Sequence, residues 1–314
     1  MFSYRHAFHA GNHADVLKHT VLVAVLQHLT EKEAALLVLD THAGAGLYRL
    51  DGDYAHTSGE AADGIARLLQ AQAQGQVLAP ALQDYVELVQ GFNAAAATKI
   101  YPGSPFIAQR LLRPHDRLKL FELHPTDHRL LAGNVAQLEA GRQVAVALED
   151  GFEGVKKFLP PPARRALLLC DPSYEIKSDY ARVPAMVQDA LLRFATGCYA
   201  IWYPIVGRQE AHDLPRRLKR ACAAAGKDWL HATLNIGTGD ENEPVSPKLR
   251  LSRSNTGRYV PVAANKVHTG LRESGMFIVN PPFVLAEQLK TALPQLKEAL
   301  GQGSSAAYLL EASA

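Results

Sequence analysis

The period of the apolar positions changes several times along this chain. From 14 to 29, Val16, Leu17, Val21, Leu22, Val25, Leu26 and Leu29 recur at helical spacing and predict a helix with one apolar face. Lys18 and His19 fall off that stripe, and Asp15 sits in the first turn, where the helix dipole favours an acid. Leu36 to Asp40 is instead a short continuous apolar run closed by an acid, the pattern of a parallel strand covered on both faces. Runs of the same kind recur at 118–123, 144–148, 166–170, 198–203, 230–236 and 276–280, and helical periods occupy 60–69, 82–92 and 104–112. Strands alternating with helical segments predict an α/β fold, a mostly parallel sheet of seven strands with helices on both faces. The chain reads as a single domain over 1–314, with a helical insertion at 48–113 between the first two strands.

Proline, serine, asparagine and glycine break the pattern over 237–271. From 244 to 272 this segment carries Lys248, Arg250, Arg253, Arg258, Lys266 and Arg272 and no acid, which reads as a basic, mobile loop or a solvated linker. The opening segment crowds Tyr4, Arg5, His6, His9 and His13 around Gly11 and Asn12, as a loop or arm would. No cysteine or carboxylate completes a tetrahedral set with these histidines at the usual spacing, so no metal is expected, and an aromatic, cationic arm suits RNA better.

A hydrophobic content of 47% over 314 residues supports a large core, and a net charge of +2 confines any nucleic-acid contact to local patches. Arg113, Arg117, Lys156, Lys157, Arg164, Arg165, Arg216, Arg217 and Lys219 are candidates for contacts with a nucleic-acid backbone, or are solvated surface. Cys170, Cys198 and Cys222 are odd in number and far apart, as reduced thiols of a cytoplasmic protein would be. No apolar run reaches the length needed to cross a bilayer, so no membrane contact is expected.

The candidate chemistry sits at the ends of the strands. Asp40 closes the first, and Gly44 and Gly46 follow, where missing Cβ atoms let a ligand approach the backbone. Tyr48 and Arg49 stand where a nicotinamide-binding fingerprint needs its third glycine, which argues against that cofactor. Ser104 reads as the N-cap of a helix with Pro105 in its first turn, a place able to hold a carboxylate. Glu122, then Asp150 with Gly151, then Asp171 close the next three strands, on the side where open α/β sheets bind ligands. An acid followed by A-G-x-G resembles the first motif of S-adenosylmethionine-dependent methyltransferases.

Asp171, Pro172, Ser173 and Tyr174 resemble the D-P-P-Y site of amino-methyltransferases, with serine in place of the second proline. In such sites the acid and the proline carbonyl accept the two N–H groups of an exocyclic amine, and the aromatic ring stacks on the base. Asn280 to Phe283, NPPF, matches the pattern better letter by letter but follows the last strand, so Asp171 is the expected reacting group.

SYRHAFHAGNHADVLKH, LDTHAGAG, YPGSP, ELHP, EDGF, DPSY, ATGCYAIWYP and GMFIVNPP, in this order, resemble the RlmJ family of bacterial 23S ribosomal RNA adenine-N6 methyltransferases. The resemblance covers nearly the whole chain outside 237–271. It implies a Rossmann-like class I methyltransferase fold, S-adenosyl-L-methionine as cofactor, an adenine of 23S ribosomal RNA as acceptor, and a monomer. Carried over, Lys18, His19, Asp40, His42, Gly44, Gly46, Ser104, Glu122, Asp150 and Gly151 would form the cofactor site. Of these, His19, His42 and Ser104 would lie about the methionine part, Glu122 on the ribose hydroxyls, and Asp150 and Gly151 at the adenine. Asp171, Pro172 and Tyr174 would be the catalytic set, and Tyr4, Arg5 and His6 would touch the RNA. The same chemistry would serve a DNA adenine-N6 methyltransferase, and Ser173 leaves room for an inactive RNA-binding scaffold.

Overall fold

The computed structural model describes residues 9–50, 60–93, 99–237 and 270–313, and the backbone of 250–253 and 259–262. Tyr4, Arg5 and His6 lie outside these residues, as does most of the basic segment. Helix α1 (His13–Thr30) starts at Asn12, whose side chain accepts the N–H groups of Ala14 and Asp15. It is buried all round from His13 to Leu26, so Lys18 and His19 are covered although the apolar stripe leaves them out.

Strand β1 (Leu37–Asp40) leads through β2 (Leu47–Arg49) into the insertion, which holds a 3-10 turn at Glu60–Asp63, α2 (Ile65–Ala73) and α3 (Pro80–Gln90). The insertion ends at β3 (Ile100–Pro102), antiparallel to β2, and α4 (Ser104–Leu111) then carries the chain back to β4 (Arg117–Phe121). After α5 (Pro125–Ala136) come β5 (Val144–Ala147), the short α6 (Gly151–Gly154), β6 (Ala166–Cys170), α7 (Asp179–Arg193), β7 (Cys198–Ile205), α8 (Gln209–Ala225) and β8 (Trp229–Asn235). Strands β9 (Arg250–Arg253) and β10 (Tyr259–Val262) pair antiparallel where the sequence reading expects a loop. Strand β11 (Glu273–Val279), α9 (Leu285–Leu300) and β12 (Ala307–Ala312) complete the order.

One sheet runs β12-β8-β11-β7-β6-β1-β4-β5. Strands β5, β4, β1, β6 and β7 are parallel, β11 is antiparallel to both β7 and β8, and β12 is antiparallel to β8. The sheet therefore has eight strands, one more than the apolar pattern predicts. Strand β12 lies at an edge with its first three side chains exposed, so it carries no apolar run. Alternation along the strands separates two cores. Val38, Leu167 and Leu169 pack with α1, α4 and α9 on one face, whereas Leu39, Leu168 and Cys170 pack with α7 and α8 on the other.

Strand β1 is the switch point, because the chain leaves it toward β4 and β5 on one side and returns at β6 on the other. A crevice opens there at the carboxyl ends of β1 and β6. No described helix is long and apolar enough to cross a membrane.

The insertion is fixed to the start of α1 by backbone contact. Ile65 donates its N–H to the Gly11 carbonyl at 2.8 Å. A Cβ on Gly64 would stand 2.0 Å from that carbonyl oxygen. Gly64→Ala should cost on the order of 2–3 kcal/mol by overpacking. Gly133→Ala, on an open face of α5 with nothing within 4 Å, should gain about 0.5–1 kcal/mol. Thermal melting of the two variants checks the contrast, and an unaffected Gly64→Ala would contradict this docking.

Candidate active site

Four strand ends and the first half of α1 build the crevice. Asp40 is buried at the end of β1, where its carboxylate accepts the Ser104 hydroxyl at 2.7 Å and the His42 N–H at 3.2 Å. Burial pushes Asp40 up to about 6. Ser104 is thus the first residue of α4 and not its N-cap, a place taken by Gly103, and its hydroxyl goes to Asp40. Gly46 has φ +79, and a Cβ there would lie 2.8 Å from Phe106 and Leu131, so the turn after β1 admits only glycine.

His42 shares a 2.7 Å hydrogen bond with the Thr41 hydroxyl and meets Phe152 edge-on at 5.0 Å. Burial lowers it to about 4, which keeps the imidazole neutral. Glu122, just past β4, accepts the N–H of Gly44 at 2.8 Å and of His124 at 2.6 Å, and burial raises its carboxyl above the ordinary range. Asp150 caps α6 through the Phe152 N–H at 2.9 Å and pairs with Arg182 at 2.6 Å.

One cavity collects much of this. Lys18, His19, His42, Gly44, Ser104, Glu122, Asp150, Gly151 and Asp171 line it, with Thr41, Phe152, Ile176 and Arg182 among others. Asp40 and Gly46 are not in the lining; they shape it from behind, through Ser104 and the turn. His19 lines the cavity and shares a 2.7 Å hydrogen bond with the Tyr101 hydroxyl, which bonds Tyr85 of the insertion at 2.9 Å.

A second cavity adjoins the first and shares Lys18, Asp171, Ser173 and Glu175 with it. Its other walls include His9, Asn12, Asp15, Tyr174, Trp202, Pro204, Arg208 and Leu271. The shared wall is an ion cluster. Lys18 pairs with Asp15 at 2.9 Å and with Asp171, the three side chains being 4%, 2% and 13% exposed. Burial opposes the charge on Lys18, but the two carboxylates outweigh it and hold the ammonium above its ordinary range.

Tyr174 departs from its expected form as an open stacking ring. Its φ is +54, its hydroxyl donates to the Trp202 carbonyl at 2.8 Å, and its ring lies 4.6 Å from that of Tyr180, leaving it 2% exposed. Pro172 is buried and is absent from the lining of either cavity. Asn280 lies at the other end of the sheet. Because β11 is antiparallel, its last residues pair with the start of β7 (Val279 with Tyr199). The Asn280 amide donates to the carbonyls of Ala195 and Gly197 at 3.0 and 2.7 Å, so NPPF serves a turn remote from the crevice.

None of the cations proposed from sequence for a nucleic-acid backbone lines the two cavities. Arg113 pairs with Asp116, Arg165 donates to carbonyls before β1, Lys156 pairs with Glu153, Lys157 with Glu149, Arg216 with Asp213 and Lys219 with Glu311. Among the described residues, the Lys and Arg side chains at the cavities are Lys18, which the sequence places at the site, and Arg182 and Arg208, which it does not. Asp15 and Trp202 were missed as well. The three-residue step from Asp15 to Lys18 was legible as a helical pair, whereas Trp202 reads only as part of an apolar strand. The cysteines are free and buried, and no His, Cys, Asp or Glu among the described residues gathers into a metal-binding group.

Five parallel strands extended by an antiparallel β11 between β7 and β8, with a ligand crevice at the switch point, define a class I methyltransferase fold. Residues 33–245 match the family model described as Ribosomal RNA large subunit methyltransferase D, RlmJ. Ribosomal RNA large subunit methyltransferase J of Escherichia coli (strain K12) is 40% identical over 300 residues, 96% of this chain and 94% of that protein. Its namesake in Haemophilus influenzae is 37% identical over 312 residues, 99% of this chain and 98% of that protein. A crystal structure of a Legionella pneumophila protein superposes with a TM-score of 0.78 at 30% identity, covering 96% of this chain and 98% of that one. The chain belongs to the RlmJ family of large-subunit ribosomal RNA methyltransferases.

Asp40 generates a pH test. Its folded carboxyl binds a proton more tightly than the unfolded one, so its effect is to lower stability as pH rises from its ordinary 3.8 through about 6. The cost at neutral pH is roughly 3 kcal/mol at most, from a shift of about two units. Asp40→Asn, with the Ser104 hydroxyl free to reverse its role, should flatten that slope and melt higher than wild type at pH 7.5. A variant less stable than wild type at that pH would contradict the assignment.

Proposed function

We propose that this chain transfers a methyl group from S-adenosylmethionine to the N6 amino group of an adenine in 23S ribosomal RNA, acting as a cytoplasmic monomer. The observation that carries this reading is the meeting of two cavities at Lys18 and Asp171, one suited to a nucleoside cofactor and the other to a base. The first fits the cofactor by its donor set. Glu122 keeps acceptor capacity for ribose hydroxyls, the neutral His42 and Ser104 lie toward the methionine part, and Asp150 with Gly151 lies at the adenine end. Lys18, His19 and Gly44 complete the wall, and Asp40 and Gly46 support it.

S-adenosylmethionine, when bound, supplies an electrophilic methyl group. The chain supplies orientation and charge. An adenine amine is a poor nucleophile because its lone pair is delocalised into the ring. Asp171 accepts one of its N–H groups, favours a pyramidal nitrogen, and is placed to take the proton that the amine gives up. Holding the amine in this way accounts for most of the acceleration. The base must leave its stack to enter the second cavity, where Trp202 faces it above the buried Tyr174. Tyr4, Arg5 and His6 precede the His9–Asn12 wall of that cavity in the chain, which supports a substrate role for the arm.

The test is methyl transfer from labelled S-adenosylmethionine to unmodified 23S ribosomal RNA and, in parallel, to duplex DNA, with digestion to nucleosides. Labelled N6-methyladenosine from the RNA alone is expected, and product from DNA alone would overturn the substrate. Asp171→Ala should lower the rate by roughly 10³-fold or more through lost amine placement, with affinity for the neutral S-adenosylhomocysteine nearly unchanged. Asn280→Ala should cost about 1–2 kcal/mol of stability and leave transfer intact. A folded, inactive Asn280→Ala protein would overturn the choice of Asp171.

A further inference from the structure

Lys18 cannot be understood as a simple partner of Asp171. Its ammonium lies between two carboxylates, and Asp15 is the more deeply buried of them, 2% exposed against 13% for Asp171. Asp15 Oδ1 faces Lys18 at 2.9 Å, while Oδ2 accepts the N–H of Gly11 at 2.9 Å, so the carboxylate cannot swing away without abandoning a backbone donor. One ammonium against two carboxylates leaves one negative charge in excess in this cluster, of which Lys18 and Asp171 line both cavities and Asp15 lines the second. Coulomb interactions in such a buried setting are several-fold stronger than in water.

We propose that Asp15 is a positioning residue that acts through Lys18, giving the Lys18–Asp171 pair its surplus negative charge so that the junction of the two cavities favours a cation. The inference rests on the reading of the first cavity as the S-adenosylmethionine site. Methyl transfer moves a positive charge from sulfur to the accepting nitrogen, so a junction of net charge −1 suits both the sulfonium and the cationic amine before its proton leaves. A neutral Lys18–Asp171 pair alone would offer no such preference. Asp40, Glu175, His9, Arg182 and Arg208 also carry charge at or behind these cavities, and none of them is replaced when Asp15 is changed, so the variant removes one charge and keeps the others in place.

Asp15→Asn keeps an acceptor for Gly11 and removes the charge. Calorimetry with S-adenosylmethionine and with S-adenosylhomocysteine, its neutral thioether counterpart, gives the preference for a cation as a ratio of dissociation constants. The variant should lose that preference by about threefold or more while its affinity for S-adenosylhomocysteine stays within about twofold, and single-turnover transfer should fall by roughly tenfold. Equal weakening of both ligands, or no change in the ratio, would overturn the proposal, because a merely structural role does not distinguish a sulfonium from a thioether. If Asp15→Asn does not fold, Asp15→Ser, which also removes the charge and keeps an oxygen acceptor, carries the test with the same sign. An unchanged ratio in that variant would overturn the proposal. Failure of wild type to methylate 23S ribosomal RNA while binding both ligands would overturn the acceptor reading and leave Asp15 to be judged by the ratio. Failure of wild type to bind either ligand would overturn both.

Discussion

The buried ammonium of Lys18 is the constraint on which the rest of the site depends. A cation 4% exposed is costly to desolvate and persists only where carboxylates meet it at close range. Those carboxylates come from the first turn of α1 and the end of β6, which are more than 150 residues apart in sequence. Their meeting sets the axial position of α1 against the sheet and directs its N-terminal half toward the carboxyl ends of the strands. The insertion joins the same point from outside, because Glu60 accepts hydrogen bonds from Asn12 at 3.0 Å and shares one with His9 at 2.9 Å. Helix, insertion and reacting strand are thus brought into register around one charge.

That arrangement divides the crevice. On one side Glu122, His42 and Asp150 line a cavity with carboxylates and a neutral imidazole; on the other Trp202 and Pro204 line one with a ring and apolar surface, above the buried Tyr174. Backbone donors satisfy Glu122 and Asp150, so these carboxylates are held in place without a ligand. The turn after β1 can pass this close to the crevice because Gly46 takes a conformation closed to other residues.

Most of the fold was legible because buried parallel strands leave continuous apolar runs, and all seven such runs became strands of the main sheet. Strand β12 left no such run because it lies exposed at an edge. The acids at the strand ends were legible for a related reason, since a parallel sheet sends all its carboxyl ends to one side. Orientation was not. Periodicity placed Lys18 off the apolar face without showing that a second layer of helices would cover it. Ser104 has the composition of a helix cap, but the buried acceptor of Asp40 claims its hydroxyl. Tyr174 has the place of a stacking ring, but its positive φ and the Trp202 carbonyl turn it inward. The basic residues were visible as charge; Arg113, Lys156 and Arg216 pair with acids three residues away, whereas Arg165 and Lys219 find partners far along the chain that appear only in three dimensions.

In the proposed function the cofactor and the accepting base occupy adjoining cavities that meet at Lys18 and Asp171. A crystal structure of the protein soaked with S-adenosylhomocysteine and adenosine together tests this. The cofactor's ribose should lie on Glu122 and the exocyclic amine of a second adenine within hydrogen-bond distance of Asp171. An adenine amine held instead at Asn280, or a thioether lying in the cavity lined by Trp202, would contradict it.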